Sequence, residues 1–284
     1  MKPLSILPAS AIIPMKRKEI DMSINEITPQ ITLLSAAHVI FLAGTMIIAI
    51  AAAVFLSGKI GFSKKLVWVC LVIGLLCEME KIFFFMEGSA DGYRLPAEHI
   101  PLNLCPFQIF LIFALAVSQD IKKRGLLISY MYPTMFAGGF LGMLLPSVLF
   151  LGYHGVFDFS TYRYFLFHGM VVFLGLYLYL SKPVEFNIKS FASSLACLSL
   201  VMLVIVWANA FFGWDPAVNF WFLVRPPAEN LPILNLDRGW TNYMLQLGWL
   251  AVLLFALCYI REIIRDLPGL IKSVIGKIKR QPAR

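Results

Sequence analysis

The sequence has little charge. Asp, Glu, Lys and Arg make up only 14% of its 284 residues, where a soluble domain carries about 25%. No stretch outside its apolar runs interleaves Lys or Arg with aromatic residues, so nucleic acid is not an expected partner. The five cysteines, Cys70, Cys77, Cys105, Cys197 and Cys258, form no CxxC pair. Such cysteines are usually small hydrophobes, and no disulfide framework is implied. The four histidines lie on separate segments with no HxxxH or HxxE spacing, so neither a metal nor another cofactor is expected. Residues 1–30 show no ordered signal-peptide pattern, and no internal repeat is visible.

What is present is hydrophobicity, gathered into runs. Apolar residues make up 60% of the chain, and the mean hydropathy is +0.79. Runs of 18 or more apolar residues with few charges read as membrane spans. About seven apolar segments stand out, six of that length and one shorter, at residues 32–56, 66–86, 106–119 (the short one), 126–151, 161–180, 191–212 and 240–260. The expected fold class is therefore all-α, a polytopic membrane helical bundle. A polar tail (1–30) precedes the membrane domain (31–262), and a basic tail (263–284) follows it. Pro133, Gly138, Gly139 and Pro146 predict an interrupted fourth span.

Basic loops stay on the cytoplasmic side. Lys59, Lys64 and Lys65, then Lys122, Lys123 and Arg124, then Lys182 and Lys189, then the tail from Arg261 to Arg280 all fall on one side. The alternate loops hold only Arg94, Arg163, Arg225 and Arg238. The expectation is a cell-membrane protein with its N-terminus outside and its C-terminus cytoplasmic. Lys16, Arg17 and Lys18 oppose this, and a start at Met22 would remove the conflict. From Ile263 to Arg280, Ile, Val and Leu alternate with Lys and Arg. This suits an amphipathic helix on anionic lipid and a solvated basic tail equally well.

Ionisable groups inside spans are rare and mark function. His38, Glu78, Glu80 and His168 each lie roughly 9–12 Å below the outer end of their span, at 1.5 Å per residue. The third span covers only about 21 Å, against a hydrocarbon core of about 30 Å. Its outer end therefore starts inside the membrane, and Ile100 to Cys105 dips in behind it. Pro106 suits a first helical position, which makes Cys105 the expected N-cap. Cys105, His168, His38 and Glu78 or Glu80 then share one layer near the outer face. A thiol beside an imidazole is the minimum for nucleophilic acyl chemistry, with Asn103 to orient the histidine or donate to an oxyanion. Against this stand bland alternatives: an inert buried cysteine, histidines that only pack helices, and a Glu78–Lys81 pair one turn apart.

The segment Ile100-Pro-Leu-Asn-Leu-Cys105-Pro-Phe-Gln108 resembles the LPxHLC element of YwaF-like bacterial membrane proteins. It is also similar to the Asn-Pro-Cys element of their animal relative, transmembrane protein 164. His38, Glu78 or Glu80, Leu145-Pro146, Phe167-His168, and Asn219-Phe-Trp-Phe-Leu223 followed by Arg225-Pro226 match further elements in order, over residues 32–262. The resemblance implies a lipid acyltransferase with Cys105 as nucleophile and His168 as base. Asn103 stands where bacterial members have a histidine, so that residue's role is lost unless His99 substitutes. His38, Glu78, Asn103, Asn219 and Arg225 are the expected substrate-binding residues, and membrane lipids the expected partners. The rival class is a transporter or lipid-binding membrane protein without catalysis, in which His38, Glu78 and His168 relay protons. A non-catalytic assembly protein is a third.

Overall fold

The structure is a computed structural model, which describes residues 32–89, 92–121, 124–145, 155–226 and 234–280. All seven expected segments are helical. They are α1 (Ala36–Ile60), α2 (Lys64–Phe85), α3 (Leu104–Ala116), α4 (Gly125–Leu144), α5 (Phe159–Ser181), α6 (Ile188–Phe211) and α7 (Trp240–Cys258). The eighth helix, α8 (Ile260–Arg280), continues the C-terminal end of α7. A short hairpin, β1 (Glu87–Ser89) paired antiparallel with β2 (Gly92–Arg94), follows α2. Tight 3₁₀ turns occupy Ala97–His99 and Phe220–Phe222. The polar tail, Met22, Lys122, Lys123 and Pro146 lie outside the described residues.

Five of these helices (α1, α4, α5, α6 and α7) are long and apolar enough to cross a membrane. At 22 residues α2 matches them in length, but Lys64, Lys65, Glu78, Glu80 and Lys81 dilute its hydrophobicity. As expected, α3 is short, at 13 residues. This is a polytopic membrane protein built as an all-α bundle.

Burial decides which helices form its centre. In α4 and α5, 61% and 67% of the most apolar window is buried, against 11% in α1 and in α7. Ile47, Ile48 and Phe55 of α1, and Leu245, Trp249 and Leu253 of α7, are exposed, as lipid-facing side chains must be. Lipid is as apolar as leucine, so helices in a membrane associate through close backbone approach at small residues. Two glycines supply that contact between α4 and α5. A Cβ on Gly139 would sit 3.1 Å from the His168 carbonyl, and one on Gly175 would sit 2.9 Å from the backbone nitrogen of Phe136.

The fourth span is not broken at Pro133. Helix α4 runs through it and stops at Leu144, earlier than residue 151. Proline has no N–H, so the carbonyl four residues back loses its partner. That carbonyl belongs to Ser129, and it accepts the hydroxyl of Tyr259 at 2.9 Å in a buried bond. Within the membrane, only another part of the protein can satisfy such a group. Tyr132 ties the same two regions, donating to the Cys258 carbonyl at 2.9 Å.

Arg163 also departs from expectation. It is not a loop charge but sits in the second turn of α5, buried at 7% exposure. Its guanidinium Nε pairs with the Glu80 carboxylate of α2. Glu80 compensates the charge, which is why an arginine is tolerated at this depth.

Candidate functional site

Helices α3, α4 and α5 meet at Cys105, Gly142 and His168. His168 is fixed first. Its Nδ1 lies 2.8 Å from the Tyr164 carbonyl one turn back. A carbonyl only accepts, so Nδ1 carries the hydrogen and Nε2 keeps its lone pair. The Tyr164 ring packs on the imidazole at 4.2 Å between centroids, and the Tyr164 hydroxyl donates to the Gly142 carbonyl. The imidazole is thus held over α4 with its basic nitrogen facing Gly142.

Cys105 approaches the same glycine from α3. An ideal Cβ at Gly142 would lie 2.9 Å from His168 Nε2 and 3.7 Å from Cys105 Sγ. The missing side chain leaves room for a thiol on α3 and an imidazole on α5 beside the same point of α4. Cys105 is buried at 9% exposure, and its thiol donates to the Gly138 carbonyl at 3.6 Å. Cys105 is not the N-cap of α3. That place is taken by Asn103, with Leu104 as the first helical residue. Cys105 is therefore the second residue of the first turn, and Pro106 the third.

The other expected site residues are placed as follows. His38 is fully buried on α1 and spends both ring nitrogens. Nδ1 accepts from the Leu34 amide at 3.0 Å, which leaves Nε2 to donate to the Met143 carbonyl at 2.7 Å. It therefore sits beside Gly142 as a tie between α1 and the end of α4. Glu78 pairs with Lys81 at 2.5 Å on its own helix. Asn103 Oδ1 accepts from the Trp221 amide at 3.4 Å. Asn219 and Arg225 stay within their own loop. Asn219 bonds the amides of Val224 and Arg225 and the Arg225 carbonyl, at 2.9–3.2 Å. The Arg225 guanidinium donates to the Pro216 and Ala217 carbonyls. No contact joins either to Cys105 or His168 among the described residues.

That loop still shapes the site, because it clamps the segment before α3. Trp221 Nε1 donates to the Leu102 carbonyl at 2.8 Å. To reach it, Trp221 and Phe222 adopt left-handed φ values of 57° and 56°, a strain that surrounding contacts must hold. Asn209 of α6 supplies the hold: its side chain accepts from the Phe220 amide at 2.8 Å and donates to the Phe220 carbonyl at 3.0 Å. Asn209 escaped the sequence reading, although a lone asparagine near the end of an apolar run was the available signal.

No group of three or more His, Cys, Asp or Glu side chains that could hold a metal occurs among the described residues. Fold and site together define a multi-pass membrane protein in which a thiol and an imidazole both lie beside Gly142, where three helices pack. The chain belongs to the TMEM164 family, whose family model matches residues 33–259. No curated protein and no solved structure matches it.

Proposed function

We propose that this protein transfers an acyl chain between membrane lipids, with Cys105 as nucleophile and His168 as general base. The observation that carries this is the placement of Cys105 Sγ and His168 Nε2 around the vacant side-chain position of Gly142. Family membership supports it. A turn of the Cys105 side chain away from Gly138 brings its thiol to Nε2, which takes the proton. The thiolate attacks the ester carbonyl of a donor lipid. The C–O bond breaks, His168 returns the proton to the departing lysolipid oxygen, and a thioester remains on Cys105. An acceptor hydroxyl then attacks the thioester, His168 takes its proton, and the product ester leaves with the thiolate restored. Asn103 and the loop from Asn219 to Arg225 hold the entrance segment, and His38 holds α1 against α4. Glu78 would stand on the wall of the site.

The test is turnover of purified protein with phospholipid donors and lysolipid acceptors. Cys105→Ala should abolish transfer, and His168→Ala should slow it by about 10²–10⁴-fold, the range for a lost acid–base group. Wild-type turnover in Cys105→Ala would leave the pair structural and favour the transporter or lipid-binding reading. The same proposal places the basic loops in the cytoplasm and the site toward the outer face. Reporter fusions after Lys65 and Arg261 should read cytoplasmic, and one at Arg94 external. The reverse pattern would overturn that orientation.

A further inference from the structure

We propose a second lipid-binding site at the opposite end of the bundle, taking a phosphodiester headgroup whose far end carries a hydrogen-bond donor. A cleft of about 550 Å³ lies there, between the α5–α6 connection and the α7–α8 junction. It is lined by Tyr179, Lys182 and Glu185 on one side and by Arg261, Glu262 and Arg265 on the other.

Glu262 lies in its floor, only 3% exposed. One carboxylate oxygen accepts the Tyr179 hydroxyl at 2.7 Å. The other, Oε2, is buried with no hydrogen-bond partner. An unsatisfied carboxylate oxygen is costly, and its geometry is that of an acceptor waiting for a donor. The cations at the rim differ in how far they are committed. Arg265 is taken up by Asp266 at 2.7 Å and the Phe186 carbonyl at 2.9 Å. Lys182 caps α5 in a left-handed conformation, φ 49°, and has no ion-pair partner among the described residues. Arg261 is exposed and also engages the Tyr179 hydroxyl.

A phosphate between Lys182 and Arg261 meets two cations, and charge-assisted contacts of this kind are the strong ones. A hydroxyl or ammonium at the other end of the headgroup then reaches toward Glu262. A choline group has no N–H or O–H and fits the rim but not the floor. The surroundings favour a lipid as the source. Ile264, Leu267, Leu270 and Ile271 of α8 are exposed, which lays an apolar face beside the cleft at the level where acyl chains begin.

The full-length protein would be examined by native mass spectrometry with added phosphatidylethanolamine, phosphatidylglycerol or phosphatidylcholine of identical chains. Lipids ending in a donor should be retained about tenfold over phosphatidylcholine, the effect of one charge-assisted hydrogen bond. Glu262→Gln keeps an oxygen for Tyr179 and should bring that ratio close to one. The exposed pair Lys182→Gln and Arg261→Gln should lower retention of all three lipids. Soluble glycerophosphoethanolamine added as competitor identifies the source: displacement at equal concentration assigns the site to a free phosphodiester, and its failure assigns it to lipid. Equal retention of the three lipids by the wild type, or an unchanged ratio in Glu262→Gln, would overturn the proposal. Because Cys105 and His168 are left intact in every variant, transferase turnover separates failure here from failure of the acyltransfer reading.

Discussion

The imidazole of His168 occupies the space that any side chain at residue 142 would need. A Cβ there would lie 2.7 Å from His168 Cδ2 and 2.9 Å from Nε2, closer than carbon and nitrogen can pack. His168 cannot simply slide away, because Nδ1 is tied to the Tyr164 carbonyl. Gly142→Ala should therefore swing the ring out of line with Cys105 while leaving both residues present. Misplacement of a reacting group by about 1 Å costs on the order of 10²-fold in rate, and overpacking costs about 1–3 kcal/mol in stability. Turnover measured beside thermal unfolding would separate the two. A Gly142→Ala variant with unchanged turnover would show that this contact does not set the geometry of the proposed site.

The bond between Tyr259 and Ser129 repairs the gap that Pro133 leaves in α4. Tyr259→Phe keeps the ring among Tyr132, Phe186 and Phe191 and removes only the donor. The Ser129 carbonyl would then be buried without a partner, at a cost of about 1–3 kcal/mol. Replacing Pro133 with Ala as well restores an amide able to bond Ser129, so the double variant should recover part of that loss. Unfolding in detergent would reveal it. Equal stability of Tyr259→Phe and wild type would mean that another group satisfies the carbonyl.

Glu80 and Arg163 bring opposite charges from α2 and α5 together in the bundle. Removing one charge of such a pair takes away the other's compensation, at a cost of up to about 3–5 kcal/mol. Glu80→Gln and Arg163→Met should each destabilise strongly. Together they should cost less than the two losses combined, since both charges are then gone. A double-mutant cycle reads this coupling directly, and simple additivity would show that the two charges act independently.

The helices, and the choice of Cys105 and His168 as neighbours, were legible in the sequence because each rests on one local quantity. Run length gives the helices, and 1.5 Å per residue gives depth. Three features escaped because they depend on partners far along the chain. Pro133 signalled a break, yet Tyr259, 126 positions later in the chain by their numbers, closes it. Arg163 near the start of an apolar run looked like a loop charge, since nothing local revealed Glu80. His38 shared the depth of the candidate pair, but the Met143 carbonyl that engages its ring belongs to another helix. Depth puts groups in a layer, and only packing decides which of them touch.

His99 offers a pH-dependent prediction outside the spans. It lies in the turn before α3 and stacks on Phe85 with ring centroids 3.8 Å apart. Burial, aided by the nearby positive charge of Lys81, pulls it down from 6.5 to about 4. The Glu98 carboxylate 3.5 Å away opposes that shift without cancelling it, because the ring is largely enclosed. With the closed-state value depressed, an opened segment binds a proton more readily than the closed one. The stabilisation is thus complete above about pH 6.5 and is lost as pH falls toward 4. Hydrogen exchange of residues 97–104 should rise across that window relative to a His99→Gln variant, which carries no titrating group. Comparison at each pH cancels the intrinsic pH dependence of exchange. Loosening of this segment would also carry Cys105 with it, since Leu102 and Asn103 link it to Trp221. Turnover should therefore fall over the same range in wild type and more shallowly in His99→Gln. Parallel profiles in the two proteins would rule out His99 as the group responsible.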